Sequence, residues 1–199
     1  MGKQRIGLLG GTFDPPHVGH FWLAETAQAQ LKLDRVLFLP VGEPVHKPGK
    51  ITAVSHRLAM TQLALGSYPT FELDTTDIKR PYPHTTSSLL PLLRQNYAPA
   101  DFWLLLGGDS LRDFATWHQP QQIIQGCRLA VLARPGAEVG WPTLVQAVPG
   151  IQTAVDCLVG PCLSLSSTEI RAWLRAGYPV RALVGTAVYD YIKHHRLYK

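Results

Sequence analysis

The chain predicts an α/β domain built around a parallel sheet. Short apolar runs bounded by Gly, Pro or polar residues alternate with stretches of helical period, the pattern of strands joined by crossover helices. The length of 199 residues suits one domain that buries most of its apolar surface on folding. No internal repeat, low-complexity tract or long linker interrupts it, so residues 1–199 are expected to form a single domain.

Arg5 to Leu9 is a compact first strand, which Gly10 and Gly11 are expected to break. A helical pattern follows from about Val18 to Leu31, then a second strand, Arg35 to Leu39, stopped by Pro40. A loop rich in Pro and Gly spans Val41 to Lys50. Leu58, Met60, Leu63, Ala64 and Leu65 supply a helical face ended by Gly66. Phe71 to Leu73 reads as a short strand and 74–84 as a polar loop. Thr85 to Gln95 reads as a helix that Pro91 should kink or shift. Phe102 to Leu106 and Leu129 to Ala133 are buried strands; residues 134–150 read as loop with a single helical turn. Ser167 to Arg175 and Ala187 to His194 are two closing helices.

Hydrophobic residues at 46% and charged residues at 17% are an ordinary globular balance. No apolar run approaches the ~20 residues of a membrane-spanning helix. The N-terminus is too short and glycine-broken for a signal core, and Ile6 stands where a myristoylation signal needs Ser or Thr. A soluble, cytoplasmic protein with no membrane partner is expected. A formal charge of +5 favours anionic partners. Lys and Arg are scattered rather than clustered, so small anions are favoured over nucleic acid. Cys127, Cys157 and Cys162 match no metal or redox spacing and read as reduced thiols. Both a monomer and a homo-oligomer stay open.

The turn after a first parallel strand is where α/β proteins commonly hold phosphate, because the next helix presents unpaired N–H groups and a partial positive charge. Here the turn reads GGTFDPPHVGH, Gly10 to His20, and is neither a Walker A loop nor GxGxxG. His17 and His20 have the spacing that places two rings on one helix face. Taken alone, the pair could contact phosphate, bind a metal, or include one ring packed on the sheet. Near the C-terminus, LSSTEIR, Leu165 to Arg171, offers a Ser cap at Ser166 or Ser167 and an Arg one turn in. By itself that stretch fits an ordinary capped helix with a surface Arg better than a phosphate site.

Together the two strings closely resemble the signatures G-[ST]-F-D-P-x-H-x-G-H and ISSTxIR of the nucleotidyltransferase superfamily. Further matches resemble the bacterial nicotinate-mononucleotide adenylyltransferase family: His46 and Lys47 after the second strand, His56 to Met60, LLLGGDSLRDFATWHQ from Leu104 to Gln119, and the ending LVGTAVYDYIKHHRLY. The resemblance runs from residue 5 to residue 198. It implies a Rossmann-like doubly wound, mainly parallel sheet, with a small C-terminal helical portion at about 165–199. It also implies transfer of AMP from ATP to nicotinate mononucleotide, with nicotinamide mononucleotide or phosphopantetheine as alternative acceptors. By the same resemblance His17, His20, Lys47 and Arg171 are the catalytic phosphate contacts. Gly10, Gly11, Thr12, Phe13, Gly107, Asp109, Ser166, Ser167 and Thr168 would bind ATP; Thr85, Trp117, His118 and Arg134 would bind the acceptor. Mg²⁺ would arrive on the ATP phosphates, with no protein metal site. For Asp109 a helix cap, and for Trp117 a core aromatic, are alternative roles. One departure stands out: PHTTSSL, Pro83 to Leu89, has His84 where the family has Tyr. A catalytically silent adenylate-binding module and a nucleic-acid-binding surface are the competing readings.

Overall fold

Residues 2–43, 51–132, 140–161 and 163–199 are described in the computed structural model. In chain order they form β1 (Gln4–Gly11), α1 (Val18–Leu31), β2 (Arg35–Pro40), α2 (Val54–Leu65), β3 (Phe71–Leu73), α3 (Thr76–Lys79), α4 (Thr86–Tyr97) and β4 (Ala100–Gly107). There follow α5 (Gly108–Arg112), a 3₁₀ turn (Phe114–Thr116), α6 (Pro120–Gly126), β5 (Arg128–Leu132), α7 (Trp141–Ala147), α8 (Ile151–Ala154) and β6 (Val155–Leu158). Helices α9 (Ser167–Arg175), α10 (Arg181–Val184) and α11 (Thr186–His194) close the chain.

The strands form one six-stranded sheet in the order β3-β2-β1-β4-β5-β6, with every pairing parallel. Both faces are apolar because side chains alternate across the pleat. In β4, Phe102, Leu104 and Leu106 face one core with Leu89, Leu93 and Ile123 of the helices, while Trp103 and Leu105 face another with Phe21, Ala24 and Ala27 of α1. A third, smaller core joins Met60 of α2 to Ile170, Val180, Val184, Val188 and Ile192 of the C-terminal helices. The chain winds outward from β1 to β3, then crosses back to start again at β4. At that reversal the connections leaving β1 and β4 diverge, which opens a crevice beyond their C-terminal ends.

Several expectations are corrected. Gly10 and Gly11 do not break β1; they pair with Leu39 and Pro40 of β2, so the ladder continues through them. Pro91, expected to kink the helix or shift its start, lies inside α4, which runs from Thr86 to Tyr97; proline removes only its own N–H bond to the Ser87 carbonyl and the flanking turns persist. The polar stretch 74–84 contains α3, α7 (Trp141–Ala147) occupies much of the expected 134–150 loop after residue 140, and α8 follows it in a stretch for which the sequence offered no reading. Strand β6, for which the sequence offered no reading, pairs Val155 to Leu158 with Leu129 to Leu132. Ala133, assigned to a strand, lies outside the described residues. Cys127 is buried, and burial pushes its thiol up to about 12.

The β6 edge is pinned by Asp156. Its carboxylate accepts from Arg128 Nε at 2.6 Å and Nη2 at 2.7 Å, and from the Trp103 indole N–H at 2.9 Å. These donors, Arg128 foremost, hold Asp156 below the usual carboxylate range. A lowered folded value adds stability above the unfolded pKa of roughly 4, and that stability is lost as pH falls through the folded value. The pair is partly exposed, so Asp156→Asn is expected to cost only about 1 kcal/mol at pH 7. In urea unfolding followed across pH, the gap between variant and wild type should shrink below pH ~4; a gap independent of pH would contradict this.

Candidate active site

Past β1 the chain turns sharply. Phe13 takes a left-handed conformation (φ 50°) with its ring fully buried. His17, extended at φ −151°, is the N-cap of α1. The His17 and His20 rings lie 3.7 Å apart and tilted by 30°, so the structure brings the predicted pair together. Gly19 makes this possible: a Cβ there would come within 3.1 Å of the His17 ring. The His17 backbone N–H donates to His20 Nδ1 at 3.1 Å. An accepting Nδ1 assigns the proton of the neutral His20 ring to Nε2, which becomes the donor. Phe13 supports that ring edge-on at 4.9 Å.

The second wall is the start of α9. Ser166 is its N-cap and forms a capping box with Glu169: Ser166 Oγ accepts from the Glu169 N–H at 3.2 Å, and the Ser166 N–H donates to Glu169 Oε2 at 2.8 Å. The cap occupies the third N–H of the helix and keeps Ser167 and Thr168 at the cleft wall. Two hydrogen bonds tie this wall to the histidine turn. Ser167 Oγ donates to the Pro15 carbonyl at 2.9 Å, and Arg171 Nη1 donates to the Asp14 carbonyl at 2.7 Å. Arg171 Nη2 also donates to Thr168 Oγ1 at 3.2 Å.

The third wall comes from β4 and α5, where Gly107 caps α5. A Cβ on Gly107 would meet nothing within 4 Å, so packing does not demand glycine there and the cleft is left open beside it. Asp109 lies in the first turn of α5 rather than at its cap and stands 3.4 Å from Arg112. The cleft bounded by these walls has a volume of ≈ 370 Å³ and is lined also by Trp22, Leu23, Leu132, Leu163 and Leu165.

Gly11, Thr12, His17, His20, Gly107, Asp109, Ser166, Ser167 and Thr168 all line this space. Gly10 is not among the residues that line it. Phe13 turns its side chain into the core, and the Arg171 guanidinium is engaged with the turn. His46, Lys47 and Arg134 lie outside the described residues. Thr85 and His118 fall in a separate cluster: Thr85 Oγ1 lies 2.7 Å from Ser88 Oγ and 3.2 Å from Ser87 Oγ, and Ser87 Oγ lies 3.0 Å from His118 Nδ1. The Trp117 ring packs on Phe114 at 5.3 Å, and the Trp117 backbone N–H donates to the Phe114 carbonyl at 3.1 Å.

Sequence reasoning passed over the residues that hold the turn. Asp14 is 3% exposed; its Oδ1 accepts from the Tyr198 hydroxyl at 2.6 Å and its Oδ2 from the Thr52 N–H at 3.2 Å. Burial, then the Asp14 charge, raise the Tyr198 phenol far above its ordinary value. Arg57 is 1% exposed and donates to the carbonyls of Thr52, Thr12, Val41 and Gly42 at 2.8–3.0 Å. Burial lowers its pKa while Asp14 opposes the shift. The signal for Arg57 was available: an Arg within a short apolar helical face next to Pro- and Gly-rich loops. The apolar wall, Trp22 and Leu23, follows His20 directly. Among the described residues no group of three or more His, Cys, Asp or Glu is arranged to hold a metal ion. Among them, too, no helix is long and apolar enough to cross a membrane.

A parallel sheet whose order reverses beside a histidine-bearing turn and a capped helix defines a nucleotide-transfer architecture. Comparison with known proteins gives the same class: the profile of the cytidylyltransferase-like family matches residues 8–173. A protein of Thermomicrobium roseum named "Probable nicotinate-nucleotide adenylyltransferase" is 43% identical, with 98% of this chain and 92% of the relative aligned. A namesake from Roseiflexus sp. (strain RS-1) is 40% identical over the full length of both. Two structures of the Plasmodium falciparum nicotinic acid mononucleotide adenylyltransferase, complexed with APC and with NaAD, superpose at TM-scores of 0.77 and 0.79. Each covers 98% of this chain and 97% of that one at 18% identity, a likeness of fold. The chain belongs to the cytidylyltransferase-like family and, within it, to the nicotinate-nucleotide adenylyltransferases.

Arg57→Ala would leave four loop carbonyls without their donor and Asp14 without one of its two neighbouring cations, Arg171 remaining at 4.0 Å. Urea unfolding is expected to show a loss of at least ~3 kcal/mol; a loss under ~1 kcal/mol would mean that water replaces the guanidinium at little cost.

Proposed function

We propose that this chain transfers the AMP moiety of ATP to nicotinate mononucleotide, releasing pyrophosphate and forming deamido-NAD. The observation that carries the reading is the convergence of His17, His20, the N-terminus of α9 and Gly107 on one cleft at the sheet's order reversal. Two helix N-termini and two imidazoles aimed at one space suit a polyphosphate. The apolar wall of Trp22, Leu23, Leu132, Leu163 and Leu165 suits a nucleoside. The curated relatives' shared name supports the choice of acceptor.

In this reading the acceptor phosphate attacks the α-phosphorus in line and pyrophosphate leaves. The protein forms no covalent bond; it positions the reactants and neutralises developing charge. His17 and His20 meet the α- and β-phosphates, with His20 donating from Nε2. Gly11, Thr12, Ser166, Ser167 and Thr168 cradle the polyphosphate, and Asp109 accepts from the ribose hydroxyls. Arg171 contributes its charge while anchored on the Asp14 carbonyl, and Lys47 neutralises a flanking phosphate. Thr85, Trp117, His118 and Arg134 receive the acceptor. Mg²⁺ would be held through the ATP phosphates, keeping several waters, and would supply electrostatic neutralisation of the polyphosphate that Ser166, Ser167 and Thr168 cradle. Residues 1–199 act here as one cytoplasmic domain whose partners are small nucleotides, not nucleic acid.

The test is kcat/KM for nicotinate mononucleotide and its amide side by side, by pyrophosphate release. The acid should be preferred, since hydrogen bonds to a carboxylate are the stronger; preference for the amide would refute the acceptor assignment. His20→Ala should fold and lose at least ~100-fold in kcat, the scale of one transition-state donor. Near-normal turnover would remove His20 from the chemistry.

A further inference from the structure

A buried charge cluster beside the acceptor loop is left unused by the transfer chemistry. The side chains of Asp77, Arg80 and His84 are 5%, 7% and 6% exposed. Asp77 Oδ1 accepts from Arg80 Nε at 2.7 Å. Asp77 Oδ2 accepts from the Gly42 N–H at 3.2 Å and faces His84 Nδ1 at 3.4 Å. The last contact lies within ion-pair range but outside hydrogen-bond geometry, and among the described residues Nδ1 has no other hydrogen bond. Arg80 Nη2 also pairs with Asp77 Oδ1 at 2.5 Å, and the guanidinium reaches the acceptor loop as well: Nη1 donates to the Pro83 carbonyl and Ser88 Oγ, and Nη2 to the Thr85 carbonyl, each at 2.9 Å.

Gly42 is where this cluster meets the nucleotide turn. The His84 ring lies so close over Gly42 that a Cβ there would come within 2.5 Å of it. The Gly42 carbonyl accepts from Arg57, whose other nitrogen holds the Thr12 carbonyl. An unbroken path of short contacts therefore runs from Thr12 through Arg57, Gly42 and Asp77 to His84 and Thr85.

The geometry points to His84, standing where the family signature has Tyr, as a positioning residue for the acceptor: wedged between Asp77 and Gly42, it sets the distance from Thr85 to the nucleotide turn. This rests on Thr85 being an acceptor contact. Removing the imidazole leaves the Asp77–Arg80 pair intact, so the loop keeps its anchor but loses its spacer. A Thr85 loop set back from the acceptor weakens ground-state and transition-state contacts alike, which raises the acceptor KM and leaves kcat near its value.

The experiment is steady-state kinetics on the full chain for wild type, His84→Ala and His84→Asn, whose amide nitrogen can occupy the place of Nδ1. Nicotinate mononucleotide, nicotinamide mononucleotide and phosphopantetheine are each offered as acceptor. His84→Ala should raise the acceptor KM at least ~10-fold, with kcat and the ATP KM within about threefold of wild type. His84→Asn should restore the acceptor KM to within about threefold. An unchanged acceptor KM, equal rises for both substrates, or a thermal midpoint lowered by more than ~10 °C would overturn the proposal, the last marking a purely structural wedge. Failure of wild type to use nicotinate mononucleotide would instead refute the functional reading. The His84 series is then judged by the same criteria on whichever acceptor wild type adenylates.

Discussion

Asp14 is a buried carboxylate that four separate parts of the chain reach. Tyr198 comes from the C-terminal end, Thr52 from the segment before α2, Arg171 through the Asp14 carbonyl from α9, and Arg57 acts through its charge from within α2. A carboxylate removed from water is tolerable only when its lone pairs and charge are met. That requirement holds the histidine turn in one conformation. The left-handed Phe13, the extended His17 and the tilted pair of imidazoles all sit on this turn, and Ser167 braces it from the other side. The reactive face of the cleft is thus preorganised largely by groups that do not line it, Asp14, Arg57, Arg171 and Tyr198 among them.

Arg57 and Arg80 extend this logic outward. Each is a buried guanidinium: Arg57 donates to four loop carbonyls, and Arg80 divides its donors between Asp77, Ser88 and the Pro83 and Thr85 carbonyls, which suits a planar group with five N–H bonds. Arg57 gathers the loops that leave β1 and β2; Arg80 gathers the loop that precedes α4. Their territories meet at Gly42, so the nucleotide turn and the acceptor cluster share one rigid boundary. Placing two substrates with that kind of accuracy is the main resource of an enzyme that needs no covalent intermediate.

Much of the fold was legible because the relevant signals are local. The bounds of α1, β3 and α9 follow from periodicity and capping residues, and the Ser166 cap with Glu169 is a pattern readable within four residues. The two histidines were legible for the same reason. What sequence could not provide were contacts made across the chain: Tyr198 meets Asp14 from 184 positions away, and Arg171 from 157. Arg171 read as a phosphate ligand because an Arg one turn into a capped helix suits one, whereas its hydrogen bonds to the turn depend on how α9 docks. Strand β6 escaped because four residues carrying Asp156 hold no periodic signal; its strand state comes from pairing with β5 and from the Arg128 and Trp103 contacts. Gly10 and Gly11 misled because glycine marks turns in general, while here β2 supplies partners for both.

In the proposed reaction the cleft catalyses by positioning and charge alone, with His17 and His20 as hydrogen-bond donors and not nucleophiles. Stereochemistry at phosphorus tests this most directly. Turnover of ATP made chiral at the α-phosphorus by a sulfur substituent, with nicotinate mononucleotide as acceptor, should invert configuration, as one in-line displacement requires. Retention would mean two displacements through an adenylylated side chain and would contradict the account.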